Sequence, residues 1–171
     1  LTVYASNAYR AERAAFEPAL RERDKWEHYY RELPLLEIDP QTQAFNDELV
    51  RLVCELLPHG GRILEAGCGA GNQSLALAQA GFDVTLLDFS QAALEYARRS
   101  FEQHGLHAGY VQDDAFAQRA TEFDLVFNAG VLEHYTLEEQ ARFLRGMASR
   151  WRRYVLALIP NRGCYWYWIW R

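Results

Sequence analysis

The sequence predicts an α/β protein in which a mostly parallel, doubly wound sheet has helices on both faces and further helices at the N-terminus. Three observations predict this fold. Short apolar runs alternate with segments of helical periodicity, as in successive β-α units. A glycine-rich turn joins the first run to a helix-forming segment. Successive runs end in polar, mostly acidic residues, as expected where ligands bind beyond the carboxyl ends of parallel strands.

The N-terminal part of the chain is predicted to be helical and to lie outside the sheet. Residues 8–33 have a highly charged helical pattern, which Pro18 divides into two pieces. Aromatic and apolar residues recur at helical spacing along the second piece: Trp26, Tyr29, Tyr30 and Leu33. This face fits a helix packed on the core and equally a lid over a ligand site. We therefore treat residues 1–38 as a cap segment and residues 39–171 as the α/β domain.

The helix that precedes the sheet has a clear start and end in the sequence. Asp39 is the predicted N-cap, with Pro40 at the first helical position. Its apolar stripe is expected to be buried: Phe45, Leu49, Leu52, Val53 and Leu56. Residues 58–61, Pro-His-Gly-Gly, end the helix.

Five strands are predicted after this helix, at residues 62–65, 82–88, 108–112, 123–128 and 154–159. The fifth run is nearly all apolar, which is typical of a strand that helices cover on both faces of a parallel sheet.

Three helices are predicted between the strands. The first spans residues 74–80, and the second begins at Ser90 and buries Leu94, Ala97 and Phe101. The third begins with a capping box formed by Thr136 and Glu139. Its inner face is expected to contain Leu137, Ala141, Leu144 and Ala148.

The glycine-rich turn is the most informative stretch of the chain. Its pattern is Glu65-x-Gly67-x-Gly69-x-Gly71, between the first strand and the following helix. Alternating glycines allow sharp bends and close approach of a ligand, and the free N–H groups of the helix start point to the same place. A dinucleotide site has the spacing G-x-G-x-x-G instead. A carboxylate at Glu65 would also repel a pyrophosphate, whereas it would attract a cation.

Acidic and amide side chains stand at the other strand ends. Asp88 lies about twenty residues after the turn, where a nucleotide-binding βαβ unit has its ribose-binding carboxylate. Asp113 and Asp114 follow the third strand, and Asn128 ends the fourth. The crevice at this edge of the sheet is therefore predicted to be acidic, which favours a cationic ligand.

Together these motifs resemble the class I S-adenosylmethionine-dependent methyltransferases, over residues 62–160. The resemblance implies a Rossmann-like methyltransferase fold, S-adenosylmethionine as the cofactor and methyl transfer to a small-molecule acceptor. The family fold has seven strands, so the chain is expected to be part of a longer polypeptide, incomplete at its C-terminal end. The aromatic run at residues 164–170 is expected to pack against the missing part, with an acceptor pocket or a lipid-facing surface as alternatives.

The resemblance also implies a cofactor site. Gly67, Gly69 and Gly71 line the methionine part, and Asp88 accepts hydrogen bonds from both ribose hydroxyls. Asp114 contacts the adenine amino group. The family usually has glycine before this acid, so Asp113 remains an alternative for the same contact.

Further residues of the implied cofactor site lie beside these. The main chain of Ala115 contacts the adenine ring nitrogen, and Phe116 packs on the adenine face. Asn128 and Ala129 lie near the methionine end. The remaining members of the predicted set are Glu65, Phe89 and Tyr30.

Methyl transfer from a sulfonium depends mainly on alignment of the reactants and exclusion of water. No catalytic residue is therefore assigned. Glu133, His134 and Tyr135 are candidates for a general base, which is needed only if the acceptor must lose a proton. The Leu-Glu-His run is common in the family across unrelated substrates, which favours a scaffold role for Glu133 and His134. Three cysteines without C-x-x-C spacing predict no metal site.

Composition argues against several other classes. A net charge of −5 disfavours a nucleic-acid surface built on bulk charge, and no apolar run is long enough to span a bilayer. The cysteines form no disulfide pattern, so a reducing cytoplasm is the expected location. Two other functions stay open: a non-catalytic, methyltransferase-like binding or regulatory module, and an NAD-dependent oxidoreductase, which Glu65 and the glycine spacing disfavour. The oligomeric state stays open too.

Overall fold

The computed structural model describes residues 22–159. The predictions for Pro18 and for residues 164–170 lie outside them. In chain order the helices are α1 (Glu22–Glu32), α2 (Pro40–Leu56), α3 (Asn72–Gln79), α4 (Gln91–Gln103) and α5 (Leu137–Ala148). The strands are β1 (Arg62–Ala66), β2 (Asp83–Asp88), β3 (Gly109–Gln112), β4 (Phe123–Ala129) and β5 (Trp151–Leu158). A single 3₁₀ turn, Leu132–His134, lies between β4 and α5.

The strands form one sheet in the order β3-β2-β1-β4-β5, and all neighbouring strands run parallel. The strand order reverses between β1 and β4, so the crevice at their carboxyl ends is the topological switch point of the sheet. Apolar clusters lie on both faces. One joins α2, α3 and α4 to the sheet, and the other joins α5 to the opposite face. The predicted doubly wound α/β fold is therefore confirmed.

Helix α2 begins as the sequence predicts. The Asp39 carboxylate accepts hydrogen bonds from the N–H groups of Gln41 and Thr42, at 2.9 and 3.1 Å, and Pro40 begins the helix. Leu49 and Val53 of the predicted stripe are buried. Phe45 is 41% exposed, so its predicted burial is wrong. It lies in the first half of the helix, where it borders a cavity at the carboxyl edge of the sheet.

Helix α4 confirms its prediction as well: the Ser90 hydroxyl accepts a hydrogen bond from Ala93 N–H, and Leu94, Ala97 and Phe101 are buried. None of the helices among residues 22–159 combines the length and apolarity needed to cross a bilayer.

Helix α5 has the predicted capping box, but its inner face is not the predicted one. The Thr136 hydroxyl accepts from Glu139 N–H, and the Glu139 carboxylate accepts from Thr136 N–H. The predicted face is exposed: Leu137, Ala141, Leu144 and Ala148. The buried residues are Phe143, Gly146 and Met147. Phe143 and Met147 bury larger side chains than the alanines, and Gly146 allows the helix backbone to approach the chain beside it, so these residues set its rotation.

Strand β5 begins three residues earlier than predicted and lies at the end of the described sheet. Its first three residues are exposed and the rest alternate between half-buried and exposed, with Trp151 47% and Val155 36% exposed. The prediction that helices cover both of its faces is therefore wrong for the described residues. An apolar run alone does not distinguish a covered strand from an edge strand.

Candidate functional site

The turn between β1 and α3 contains three glycines with positive φ, each with a different neighbour. Gly67, Gly69 and Gly71 have φ values of 74°, 51° and 74°. A Cβ on Gly71 would lie 2.6 Å from a Leu86 methyl group, so the space beside this glycine belongs to the core. A Cβ on Gly69 would lie 2.3 Å from the Tyr30 hydroxyl. Gly69 is therefore the glycine whose open side faces α1 across the crevice.

Asp88, at the end of β2, binds the glycine turn directly. Its Oδ2 accepts a hydrogen bond from Gly69 N–H at 3.0 Å, and its Oδ1 accepts one from Ser90 N–H at 2.9 Å. The carboxylate is nearly buried, and this burial raises the pKa of Asp88 despite the two backbone hydrogen bonds. Each carboxylate oxygen retains capacity to accept a further hydrogen bond. The structure thus brings together two groups that the sequence separates by almost twenty residues.

Glu65 is buried at the end of β1 and contacts the start of α3. Its Oε2 accepts hydrogen bonds from the Ser74 hydroxyl at 2.6 Å and from Ser74 N–H at 3.2 Å. Burial raises the pKa of Glu65 to about 8, and the negative charge of Asp88 acts in the same direction. The residue therefore stabilises the helix start, a role that the sequence pattern does not distinguish from ligand binding.

The two acids after β3 have different contacts. The Asp113 carboxylate accepts hydrogen bonds from Arg119 at 3.1 Å and from buried Arg150 at 3.0 Å. Asp114 lies towards α1: its Oδ1 accepts from Phe116 N–H, and its Oδ2 pairs with Arg23 at 3.1 Å. The pKa of Asp113 is lowered overall. Partial burial alone would raise it, but the hydrogen bonds from Asp114 N–H and the two arginines outweigh this effect. The geometry thus favours Asp114 as the acid available to a ligand.

Phe116 belongs to an aromatic cluster rather than standing alone over the crevice. Its ring meets Tyr135 edge-on with centroids 5.0 Å apart, and Phe143 with centroids 5.5 Å apart. The Arg142 guanidinium lies over the Phe116 ring at 5.4 Å. Ala115, the preceding residue, is buried.

The end of β4 borders a cavity of about 360 Å³ at the carboxyl edge of the sheet. Its lining consists of Phe45, Gln73, Ala129, Gly130, Leu158 and Ile159. Asn128 is fully buried beside this strand end, and neither polar atom of its side chain has a hydrogen-bond partner among residues 22–159. The sequence pattern predicts Phe45 as a core residue rather than a cavity residue, and it does not mark Gln73 as part of a site. The position of Gln73, two residues after the glycine turn, was the available signal.

Helix α1 lies across the predicted site and contacts several of its elements. Arg23 pairs with Asp114 and stacks over the Phe89 ring at 4.7 Å. The Glu27 carboxylate accepts hydrogen bonds from the Ser90 hydroxyl at 2.6 Å and Ala92 N–H at 3.2 Å, at the start of α4. The helix therefore both packs on α4 and covers part of the crevice. Sequence analysis missed Arg23 and Glu27 because charged residues are frequent throughout this segment.

The three candidates for a general base have different surroundings. Glu133 is exposed, whereas His134 is half-buried and its ring meets Trp26 with centroids 5.7 Å apart. Burial raises the pKa of Tyr135, and the charges of Asp114 and Asp88 act in the same direction. A tyrosine with a raised pKa is a poor base at neutral pH. Within residues 22–159 no cluster of His, Cys, Asp or Glu side chains could hold a metal ion.

The parallel sheet with a glycine turn and acids at its switch point defines a nucleotide-type ligand site of the Rossmann-like class. Comparison with known families is more specific: the family described as "Methyltransferase domain" matches residues 63–153, just over half of the chain. The chain therefore belongs to the class I S-adenosylmethionine-dependent methyltransferase family, as the sequence motifs predict.

Individual relatives are consistent with this family. The chain is 35% identical over 147 residues to ubiquinone biosynthesis O-methyltransferase of Stutzerimonas stutzeri, which covers 84% of this chain and 59% of that protein. It is 36% identical over 132 residues to the protein of that name from Azotobacter vinelandii, covering 75% of this chain and 53% of the relative. The chain thus spans somewhat more than half the length of these relatives.

Solved structures share the fold. Magnesium protoporphyrin IX methyltransferase from Synechocystis PCC 6803, solved with bound S-adenosylmethionine, superimposes with a TM-score of 0.65 at 24% identity. The match covers 86% of this chain and 80% of that protein. At this identity the likeness supports the fold alone.

Proposed function

We propose that this chain binds S-adenosylmethionine at the carboxyl edge of the sheet and transfers its methyl group to a small molecule. The observation that carries the proposal is the hydrogen bond from Gly69 N–H to the Asp88 carboxylate. It places a carboxylate beside an open glycine turn at the switch point. A ribose diol needs two acceptors close together, and the two oxygens of Asp88 provide them.

The other residues present fit the remaining parts of the cofactor. The Asp114 carboxylate and the main chain of Ala115 would bind adenine, and the turn at Gly67 and Gly69 would leave room for the methionine part. Glu65 adds negative charge below the turn when it is ionised, which suits the ammonium and sulfonium groups. Asp113 is engaged by two arginines and is assigned no direct contact with the cofactor.

When bound, S-adenosylmethionine supplies the methyl group as a sulfonium substituent, and the protein has little covalent chemistry to do. Its residues would bind the cofactor, hold the acceptor in line and exclude water. A general base is needed only for an acceptor that must lose its proton before transfer, so we propose none of Glu133, His134 and Tyr135 as essential. An acceptor that ionises readily, or that loses its proton after transfer, fits this arrangement.

We propose the cavity beside β4 as the space for the acceptor. Its volume of about 360 Å³ lies within the range of small-molecule sites, and Phe45 and Ile159 make it largely apolar. The names of the relatives specify O-methylation in ubiquinone biosynthesis, which suggests a hydroxyl oxygen as the methylated atom.

Phe45→Trp should lower turnover and leave cofactor affinity unchanged, because Phe45 lines this cavity. Ala44→Leu, on the same turn of α2, should change neither turnover nor cofactor affinity.

We also propose that α1 is a lid of the cofactor site. The Arg23–Asp114 pair and the approach of Tyr30 to Gly69 support this role, because both contacts involve residues assigned to the cofactor.

For the cellular location, we propose the cytoplasm. It is supported by the free thiols of Cys54 and Cys68, the two cysteines among the described residues.

The site assignment is tested by calorimetry with S-adenosylhomocysteine and NAD. The first should bind and the second should not. Gly69→Ala should abolish binding because a Cβ enters the crevice, whereas Gly81→Ala, also at a positive φ, adds a Cβ where nothing lies within 4 Å. Equal affinities of the two variants, both folded, would refute the site.

Turnover is tested separately, with radiolabelled S-adenosylmethionine and small molecules that bear a hydroxyl group. Labelled product would support the enzyme. Tight cofactor binding without product from any acceptor would favour the non-catalytic alternative.

A further inference from the structure

Arg150 is a buried cation outside the crevice, between the end of α5 and the start of β5. Its residue is 2% exposed, although arginine is seldom fully buried unless its charge and donors are satisfied. No motif in the sequence marks this position. A guanidinium kept inside the protein therefore needs an explanation from its contacts.

These contacts converge on one segment, residues 113–117. Nη2 donates to the Asp113 carboxylate at 3.0 Å and to the Asp114 carbonyl oxygen at 3.4 Å. Nη1 donates to the Ala117 carbonyl oxygen at 2.5 Å and to the Gly146 carbonyl oxygen of α5 at 2.9 Å. The planar fork of one guanidinium thus holds both ends of the segment against the helix.

A second, independent contact fixes the middle of the segment. A Cβ built on Gly146 would lie 1.9 Å from the Ala115 carbonyl oxygen, so the α5 backbone packs directly on this residue. At the start of the segment, Asp113 N–H donates to the Asp88 carbonyl oxygen at 3.1 Å. The segment is therefore held from α5, from Arg150 and from the end of β2.

We propose that Arg150 is a positioning residue for adenine recognition, acting through residues 113–117. It directs the Asp113 carboxylate away from the crevice and so fixes the orientation of Asp114 and of the Ala115 main chain towards the ligand. This inference rests on the proposed cofactor site. Arg150 itself does not touch the cofactor in this arrangement.

The alternative is that Arg150 stabilises the fold without influencing recognition. A loss of stability alone lowers the folded fraction and reduces the apparent affinity for all ligands of the site equally. A loss of positioning reduces mainly the affinity for the ligand that binds through its adenine amino group. A comparison of two ligands that differ only in the purine therefore separates the two roles.

The experiment measures dissociation constants of S-adenosylhomocysteine and S-inosylhomocysteine by calorimetry, for the full chain. S-inosylhomocysteine has a carbonyl oxygen in place of the amino group, so it cannot donate to Asp114. The wild type should prefer the adenine compound at least tenfold. Arg150→Lys should reduce this preference by at least fivefold, because one ammonium cannot satisfy acceptors at both ends of the segment.

Arg119→Lys is the matched control. Arg119 also binds the Asp113 carboxylate, but its side chain is 55% exposed, so the preference should stay within about twofold of wild type. If Arg150→Lys does not fold, Asp113→Asn tests the same link with a side chain of equal size and should also reduce the preference.

The outcomes separate this inference from the site itself. A wild-type chain that binds neither ligand would refute the proposed function and this inference with it. A wild-type chain that binds both ligands equally would leave the cofactor site standing but would refute adenine recognition by residues 113–117, and with it this inference. An unchanged preference in folded Arg150→Lys or Asp113→Asn would assign Arg150 to stability only and overturn the proposal.

Discussion

The two carboxylates beneath the glycine turn have different tasks, although both end a strand and both are nearly buried. Asp88 uses one oxygen for the turn and the other for the start of α4. Glu65 uses Oε2 for the start of α3. Burial raises the pKa of each carboxyl group, in Asp88 despite the nearby charge of Arg23, so the pKa of both groups should fall when a cationic ligand binds.

Replacement of Asp88 by alanine should weaken binding of S-adenosylhomocysteine about ten- to hundredfold. The reason is the loss of a charged acceptor for the ribose, which is worth about 1.5–3 kcal/mol. Calorimetry at matched folded fraction measures this effect. Asp83→Ala, at the exposed opposite end of the same strand, is the control and should bind as wild type. A loss of less than about twofold for Asp88→Ala would put the ribose elsewhere.

The raised pKa of Glu65 should make the stability of the ligand-free protein depend on pH. This pKa is about 8 in the folded protein, against 4.5 in the reference state, so the folded state binds more protons between these values. The free energy of unfolding should therefore fall as pH rises through this window, by on the order of a few kcal/mol. Asp88, whose pKa is also raised, contributes with the same sign from lower pH.

Urea unfolding of wild type and Glu65→Gln between about pH 5 and pH 8 measures this dependence. The glutamine variant keeps a hydrogen-bond acceptor for Ser74 but cannot ionise, so its stability should change much less over the window. The carboxyl groups with lowered pKa, such as Asp39 and Asp113, act at more acidic pH and affect both proteins equally. Parallel curves for the two proteins would contradict the assignment.

At the scale of elements, the rotation of α5 decides which of its residues stabilise the fold. Phe143→Ala should lower the free energy of unfolding by about 3–5 kcal/mol, because it empties a buried site beside Phe116 and Tyr135. Leu144→Ala, one residue further along, should cost less than about 1 kcal/mol because Leu144 is 36% exposed whereas Phe143 is buried. Chemical denaturation of both variants measures the difference, and the reverse order of effects would restore the inner face predicted from the sequence.

The sequence predicts elements better than their surroundings, for physical reasons. Caps at Asp39, Ser90 and Thr136 are local, so spacing alone identifies them. The doubly wound parallel sheet follows from the β-α alternation and the glycine turn, whereas the strand order comes from the structure. By contrast, the exposed face of α5 and the exposure of β5 within residues 22–159 depend on which elements pack together, and apolar periodicity does not report this.

The same distinction applies to the candidate site. Glu65, Gly69 and Asp88 have a recognisable spacing, and the structure brings them to the same edge of the sheet. Arg23 and Arg150 have no recognisable spacing, because they contact Asp114 and Asp113 from elements far away in the sequence. The different partners of Asp113 and Asp114 also required the structure, since Arg119 and Arg150 bind the Asp113 carboxylate whereas Arg23 binds that of Asp114.

At the scale of the whole molecule, α1 lies across the crevice and contacts both the start of α4 and the segment after β3. Glu27 is its anchor, with two hydrogen bonds to the start of α4. Partial burial raises the pKa of Glu27, but hydrogen bonds from Ser90, Ala92 and Arg31 outweigh it and lower that pKa, so the anchor is charged at neutral pH. If α1 is a lid, the strength of this anchor should control how fast the cofactor enters and leaves.

Glu27→Gln should therefore raise both the association and the dissociation rate constants of S-adenosylhomocysteine. The Glu27 side chain is 32% exposed, so we expect a weakening of about 0.5–1.5 kcal/mol, or about two- to tenfold in each rate. Stopped-flow tryptophan fluorescence measures both rates, because Trp26 lies on the lid. Asp24→Asn, which removes an exposed charge from the same helix, is the control and should leave both rates unchanged. Rates that are equal in the two variants, with the helix content of each confirmed by circular dichroism, would show that α1 packs on the domain without gating the site.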